Sequence, residues 1–296
     1  MAKFGKLLKH ILGLKTAGRR CTVFPDDRFL VSYPRSGNTW TRFLLANLLY
    51  PEREVGFANI NRLFADPAVA TNRYLTQLPR PRLLKSHEPF DHRIQRVVYL
   101  VRDPRDVALS EYYFNLKKRY IEPGFPLKQF VRRFIAGQTA SYGSWGEHVG
   151  SWIGARYRHP SFHLVRYEDL ISDPFRETTK IALFLGIPAD MGRIRRAIER
   201  SSADEMRKLE RQQFKFYTGT RNTRQDIPFV REAKSGGWEQ NLPQTLAADI
   251  EAAWLPLMRF LGYELHDVGY ELQDECAAAD SLYACQSEAV EQLPVF

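Results

Sequence analysis

The chain has 296 residues, 44% of them hydrophobic and 26% charged, which excludes general disorder and leaves room for one large core. No apolar run reaches the roughly 18–20 residues that span a bilayer, and the N-terminus lacks the continuous apolar segment of a signal peptide, so a soluble, cytoplasmic protein is expected. The net charge of +9 is uneven: residues 260–296 hold eight acidic side chains and no Lys or Arg, which leaves +17 on residues 1–259.

A body this basic attracts polyanions. Charge alone does not choose among a phosphorylated nucleotide, nucleic acid, an acidic glycan and anionic lipid. The three cysteines, Cys21, Cys276 and Cys285, make neither a disulfide framework nor a zinc motif, and read as free thiols in a reducing compartment.

In chain order, residues 3–15 place Phe4, Leu7, Leu8, Ile11 and Leu12 on one helical face among Lys3, Lys6, Lys9 and Lys15. This basic amphipathic helix either packs on the body or meets a membrane surface or a partner. Arg28–Ser32 reads as a short apolar strand and Thr39–Leu49 as a helix. Arg82–Ser86 is a second strand, and the β-branched run Arg96–Val101 a buried third. A helix follows over Asp103–Lys118, with Asp103 as N-cap and Pro104 at its first position. Helices are expected at Leu127–Gly137, Ser144–Tyr157, Pro174–Leu185 (closed by Gly186), Asp190–Arg200, Ser202–Gln213 and Pro243–Leu261, with a strand at Phe162–Arg166. Tyr217–Gly237, rich in Thr, Asn, Arg and Gly, reads as a long functional loop. Strands separated by helices predict a three-layer α/β fold with a mainly parallel central sheet.

Three segments carry chemistry. In Tyr33-Pro-Arg-Ser-Gly-Asn-Thr-Trp40 a strand runs through a one-glycine turn into a helix, so free N–H groups and the positive helix end converge. Gly37 permits close backbone approach, Ser36 and Thr39 add hydroxyls, and Arg35 adds charge. The Gly-Lys of a nucleotide triphosphatase loop is missing. Arg102 at a strand end and Ser110 two helical turns later could grip one phosphate. In Leu84-Lys-Ser-His-Glu-Pro89, strand alternation puts Lys85 and His87 on one face and Glu88 on the other.

The loop Tyr33–Trp40 resembles the 5′-phosphosulfate loop of sulfotransferases that use 3′-phosphoadenosine-5′-phosphosulfate (PAPS), with Arg35 and Asn38 in place of Lys and Thr. The Arg102/Ser110 pair resembles that family's 3′-phosphate element, and Lys85-Ser-His87 its K-T-H element. The resemblance covers roughly residues 25–262 and implies a P-loop-like fold within a domain over 25–263, flanked by the helix region 1–24 and an acidic extension 264–296. It implies in-line transfer of a sulfonyl group to a hydroxyl, or alternatively an amine, of a small-molecule or glycan acceptor, with PAP (3′-phosphoadenosine-5′-phosphate) as product and no metal. His87 is then the general base, with Glu88 as the alternative, supported by Lys85, Arg35 and Ser110. Nucleotide binding falls to Arg35, Ser36, Gly37, Asn38, Thr39, Trp40, Arg102 and Ser110. Trp40 and Tyr167 flank the adenine and Ser201 contacts it. The segment Phe229–Trp238 resembles the loop that closes over the nucleotide: Arg231, Gly236 and Trp238 match it, while Glu232, Ala233 and Gly237 depart. Arg231, Glu232 and Ala233 are the nucleotide-binding positions this implies, with Glu232 expected to point outward. Asp106 is expected to orient Arg102 or that loop.

Acceptor-shaping segments are expected at Val55–Leu78, Tyr120–Tyr142 and Lys208–Gln225, through aromatics such as Phe57, Phe64, Tyr74, Phe130 and Phe216. Two other readings stand beside the transferase: a nucleotide kinase or NTPase, and a basic protein binding nucleic acid or a membrane surface, although no specific nucleic-acid motif is present. A homo-oligomer is compatible with the sequence.

Overall fold

Four parallel strands form the centre of the molecule: β1 (Arg28–Ser32), β2 (Leu83–Ser86), β3 (Arg96–Val101) and β4 (Phe162–Arg166), in the spatial order β2-β1-β3-β4. The computed structural model describes residues 16–266. The expected helix at 3–15, Cys276, Cys285 and nearly all of the acidic extension lie outside them. The chain divides into two units, Met1–Tyr263 and Glu264–Phe296, and the sheet belongs to the first.

The strands form where β-branched and aromatic residues run together. Val97 to Val101 are all at most 1% exposed, because β3 is covered on both faces by helices. Burial of each such side chain contributes about 1.5–3 kcal/mol.

The helices between strands are α1 (Asn38–Leu49), α2 (Ile60–Leu63) and α3 (Asn72–Thr76) before β2, and α4 (Pro104–Lys118), α5 (Leu127–Ile135) and α6 (Trp145–Arg156) between β3 and β4. After β4 come α7 (Tyr167–Ser172), α8 (Pro174–Leu185), α9 (Met191–Arg200), α10 (Ala203–Gln213), α11 (Trp238–Asn241) and α12 (Gln244–Phe260). The caps follow the sequence: Asp103, Ser144, Asp173, Asp190 and Ser202 each accept a first-turn N–H, and Gly186 ends α8 in the left-handed region. Helix α7 has no counterpart in the sequence reading, which places no element between the strand end at Arg166 and the helix from Pro174.

From β1 the chain moves outward to β2, then crosses to β3 on the other side of β1. Connections leaving β1 and β3 therefore diverge at their C-terminal ends, which is where open α/β sheets form ligand crevices. The segments after all four strands meet there.

An ion pair at the opposite end fixes the entry into the sheet. Arg82 and Asp27, 0% and 1% exposed in their side chains, pair between the residues that precede β2 and β1. Arg82 also donates to Leu75 O (3.0 Å) and Thr22 O (2.7 Å). Removing one member leaves the other charge buried alone, so Arg82→Leu is expected to cost about 3–5 kcal/mol in urea unfolding, and the Asp27→Leu/Arg82→Leu double variant less than the single. A single variant within about 0.5 kcal/mol of wild type would contradict this account.

Candidate active site

One cavity of about 690 Å³ collects residues from the ends of all four strands: Arg35 and Gly37 to Trp40 after β1, Lys85 and His87 from β2, Arg102 after β3, and Tyr167 after β4. Helix α4 adds Ser110, Glu111 and Phe114, and the 229–234 segment closes one side.

The loop after β1 is built for close backbone approach. Gly37 adopts φ +95°, and a Cβ there would sit 2.5 Å from the Tyr167 ring. Glycine is needed for both reasons. No side chain caps α1, unlike α4 or α6, so its first N–H groups remain available to an anion.

Arg35 sits in the left-handed region at φ 65°. Its Nε donates to Ser110 Oγ (3.1 Å), and its guanidinium packs against the rings of Phe114 and Phe229 at 4.7 and 4.9 Å. The side chain is half-buried and lines the cavity. Burial lowers its pKa to about 10, partly opposed by Glu111, and it stays charged at neutral pH.

Arg102 lies over the Tyr167 ring at 4.5 Å, pairs with Asp106 at 3.2 Å, and donates to Lys234 O at 2.9 Å. Its Nε is buried with no partner. Asp106 also accepts from Gly236 N–H (2.9 Å) and Trp238 N–H (3.0 Å), so it orients both Arg102 and the closing loop. An orphaned guanidinium N–H, a cradle that a Cβ would fill and an uncapped helix end together fit a nucleotide with two anionic ends.

His87 Nδ1 lies 2.7 Å from Ser32 O, with Ser32 Oγ at 3.3 Å. A carbonyl oxygen only accepts, so Nδ1 carries the proton and Nε2 keeps its lone pair. Burial, reinforced by the Lys85 charge, depresses the ionisation of His87 well below its ordinary 6.5. Behind it, His148 Nε2 is 3.0 Å from His87 O and Trp152 Nε1 donates to Glu88 O (3.0 Å). These bonds fix the backbone at the base of the site. Lys85 Nζ pairs with Asp66 at 2.7 Å. Glu88 pairs with Arg19 and does not line the cavity, as strand alternation requires.

Other positions differ from expectation. Ser36 is fully buried, its Oγ has no partner, and it does not line the cavity; only its backbone belongs to the loop. Ser201 is also fully buried, accepting from Asn47 Nδ2 (3.0 Å) through Oγ and from Trp40 Nε1 (2.9 Å) through its carbonyl. The cavity wall is Ser202, the cap of α10. Ser201 thus holds Trp40 from behind.

Glu232 does not point outward. It lines the cavity between Arg231 (2.6 Å) and Lys234 (3.5 Å), which neutralise it. Ala233 lies at φ 55° on the same wall. Phe57, Phe64 and Phe130 are core residues at no more than 1% exposed, while Phe216 and Tyr74 face solvent. From Val55–Leu78 only Asp66 reaches the cavity; Tyr120, Gln138 to Tyr142 and Tyr217 to Gly219 represent the other two segments.

Asp66 and Glu111 were not anticipated. Residues 65–66 run beside β2, where Lys85 N donates to Ala65 O at 2.8 Å, and this juxtaposition has no local sequence signal. Glu111 was detectable as the residue after Ser110 on an otherwise apolar turn of α4.

Residues 25–262 match the family model described as the sulfotransferase domain. Sulfotransferase 1A1 of Bos taurus is 32% identical over 235 residues, covering 73% of this chain and 78% of that protein. Sulfotransferase 1A1 of Rattus norvegicus is 31% identical over 239 residues, covering 74% and 79%. Among solved structures, retinol dehydratase in complex with androsterone and inactive cofactor PAP superposes with a TM-score of 0.65 at 19% identity, covering 86% of each chain. Mouse sulfotransferase SULT7A1 complexed with PAP gives 0.63 at 20% identity, covering 93% and 94%. The structural likeness establishes the fold alone.

If Arg102 and Ser110 grip a 3′-phosphate, Arg102→Ala should weaken binding of PAP about tenfold or more while changing AMP binding little, as measured by calorimetry. Equal losses for the two nucleotides would refute that assignment. With its sulfotransferase domain model matched over 25–262 and its relatives' sequence identity above 30%, this chain belongs to the sulfotransferase family and is a PAPS-dependent sulfotransferase.

Proposed function

We propose that this chain moves the sulfonyl group of PAPS to a hydroxyl of a small-molecule or glycan acceptor, with His87 as general base. The observation that carries this reading is the His87 tautomer: Nδ1 is committed to Ser32 O, which leaves an unprotonated Nε2 in the same cavity as Lys85 and the Gly37 loop. The acceptor oxygen attacks sulfur and forms the new O–S bond as its proton passes to Nε2. The bond from sulfur to the bridging oxygen breaks, and PAP leaves. Lys85, Arg35 and the α1 N–H groups stabilise charge on the sulfonyl oxygens and on the departing phosphate.

Arg102 and Ser110 hold the 3′-phosphate. Trp40 and Tyr167, edge to face at 5.8 Å, frame the adenine slot, and Ser201 acts only by holding Trp40. Arg231 and the backbone of Ala233 close the loop over the nucleotide, with the Glu232 charge cancelled by its two neighbours. The androsterone and retinol named for retinol dehydratase complexes support a small organic acceptor as a class.

His87→Ala should reduce transfer from radiolabelled PAPS by at least about 10³-fold while PAP affinity stays within a few fold. Intact turnover would remove His87 as the base. Because folding holds the His87 pKa well below 6.5, the base is already neutral at mildly acidic pH. kcat/KM is expected to stay flat between about pH 8 and about pH 6 as far as His87 is concerned. A fall with a midpoint near the free imidazole value, lost on removing no other group than His87, would contradict the buried neutral form. The same sign applies to stability: the unfolded chain binds the His87 proton first, so the contribution of this group is present above its unfolded pKa and declines as pH falls below it.

A further inference from the structure

The wall of the cavity formed by α4 and the 138–142 segment contains a carboxyl group that sulfonyl transfer does not use. Glu111 is 3% exposed and lines the cavity, and its Oε2 has no hydrogen-bond partner. An unpaired buried acceptor costs about 1–3 kcal/mol, more when charged, and native proteins keep few of them. Arg35 is close enough to favour the carboxylate, but its Nε is given to Ser110. Burial prevails and raises the Glu111 pKa to about 7, with Thr139 and Arg35 partly opposing. Thr139 stands beside Glu111, yet its Oγ1 completes no hydrogen bond of standard geometry.

These two atoms sit in a polar stretch of wall. Asn115, Gln138, Ser141 and Tyr142 line the same cavity. The Tyr142 ring lies 5.8 Å from the His87 ring, so the 138–142 segment runs from Glu111 to the base. A molecule placed for attack at His87 Nε2 therefore has this wall within its reach.

We propose that Glu111 is an acceptor-recognition residue, and that the acceptor carries a second hydroxyl, besides the one that attacks, whose O–H donates to the Glu111 carboxyl group. The proposal deepens the sulfonyl-transfer reading and rests on it. A purely apolar monohydroxyl acceptor would cover the part of the carboxyl that faces the cavity without giving it a donor, so the site discriminates against it. A hydroxyl suits the site better than an ammonium. Arg35 already places one cation beside Glu111, which disfavours a second. A hydroxyl also meets the carboxyl in either protonation state, donating to the ionised form and accepting from the neutral one, whereas an ammonium serves only the ionised form.

Calorimetry on the complex with PAP tests this with matched probes: cresols, the corresponding hydroxymethylphenols, the methyl ethers of their second hydroxyl, and aminomethylphenols. At least one hydroxymethylphenol isomer should bind about 10- to 100-fold tighter than its cresol, and its methyl ether should lose that gain. Glu111→Leu should erase the gain with PAP affinity within about threefold, and Glu111→Gln, which keeps an acceptor oxygen, should retain most of it. The methyl-ether comparison on wild-type protein stands even if Glu111→Leu fails to fold. No hydroxymethylphenol binding tighter than its cresol, a gain that survives Glu111→Leu, or a preference for the aminomethylphenols would each overturn the proposal. Wild-type protein that does not bind PAP at all would instead take down the sulfonyl-transfer reading, so the two failures are distinguishable.

Discussion

The hydrogen bond between His87 Nδ1 and the carbonyl of Ser32 is the constraint around which the site is organised. It joins the residue after β2 to the last residue of β1, and it exists because those strands are parallel neighbours, with Val31 opposite Ser86. A one-residue slip would turn His87 to the other face. Helix α6 holds the same point from behind: His148 meets the His87 carbonyl and Trp152 the Glu88 carbonyl, while Tyr99 on β3 sets the other nitrogen of His148 at 2.9 Å. His148 is itself neutral, its pKa lowered to about 4 by burial. The ring that faces the cavity thus has its tautomer, its backbone and its second shell fixed by groups that do not titrate near neutrality.

The same economy applies to charge. Each cation of the cavity already has a protein partner: Arg35 with Ser110, Lys85 with Asp66, Arg102 with Asp106, Arg231 with Glu232. An anion entering such a site meets side chains whose orientation has been set in advance, which lowers the entropy lost on binding. Asp106 has a double part, because it pairs with Arg102 and accepts two N–H groups of the 236–238 loop. One carboxylate therefore links the strand-end arginine to the closing segment. A second clamp lies further along the loop, where Glu210 accepts from Phe229 N–H (2.7 Å) and Val230 N–H (2.9 Å), and Lys117 donates to Ile227 O (2.7 Å). Buried charges therefore satisfy several backbone polar groups of the long loop that composition marks as irregular.

Local rules carried the sequence reading where one residue sees one environment. The buried run of β3, the caps Asp103 and Ser144, and the alternation that separates His87 from Glu88 follow from burial, orphan N–H groups and strand pleat. They failed where position depends on packing between distant segments. Ser201 and Ser202 are adjacent and chemically identical, but one ends α9 facing the core and the other caps α10 facing the cavity, a distinction made by the turn between two helices. Asp66 reaches Lys85 only because residues 65–66 extend the sheet beyond β2. Phe57, Phe64 and Phe130 were read as acceptor-facing because aromatic residues serve cores and pockets equally well, and only packing separates the two uses. Glu232 was expected to avoid the nucleotide by turning outward, whereas its neighbours Arg231 and Lys234 cancel its charge in place.

Arginine at position 35 is explained by the space around it. Its guanidinium has aromatic rings on two sides, and those rings offer no acceptor for a hydrogen bond. An ammonium there would lose hydration and gain little, since it is compact and strongly hydrated. A planar, delocalised cation packs against both rings, which meet each other edge to face, and still directs Nε at Ser110. The cost appears as a pKa of about 10, low for arginine but far above neutrality, so the side chain is a permanent charge. Phe229 belongs to the loop that Glu210 and Lys117 fasten, so the charge at the β1 turn is completed only when that loop is in place.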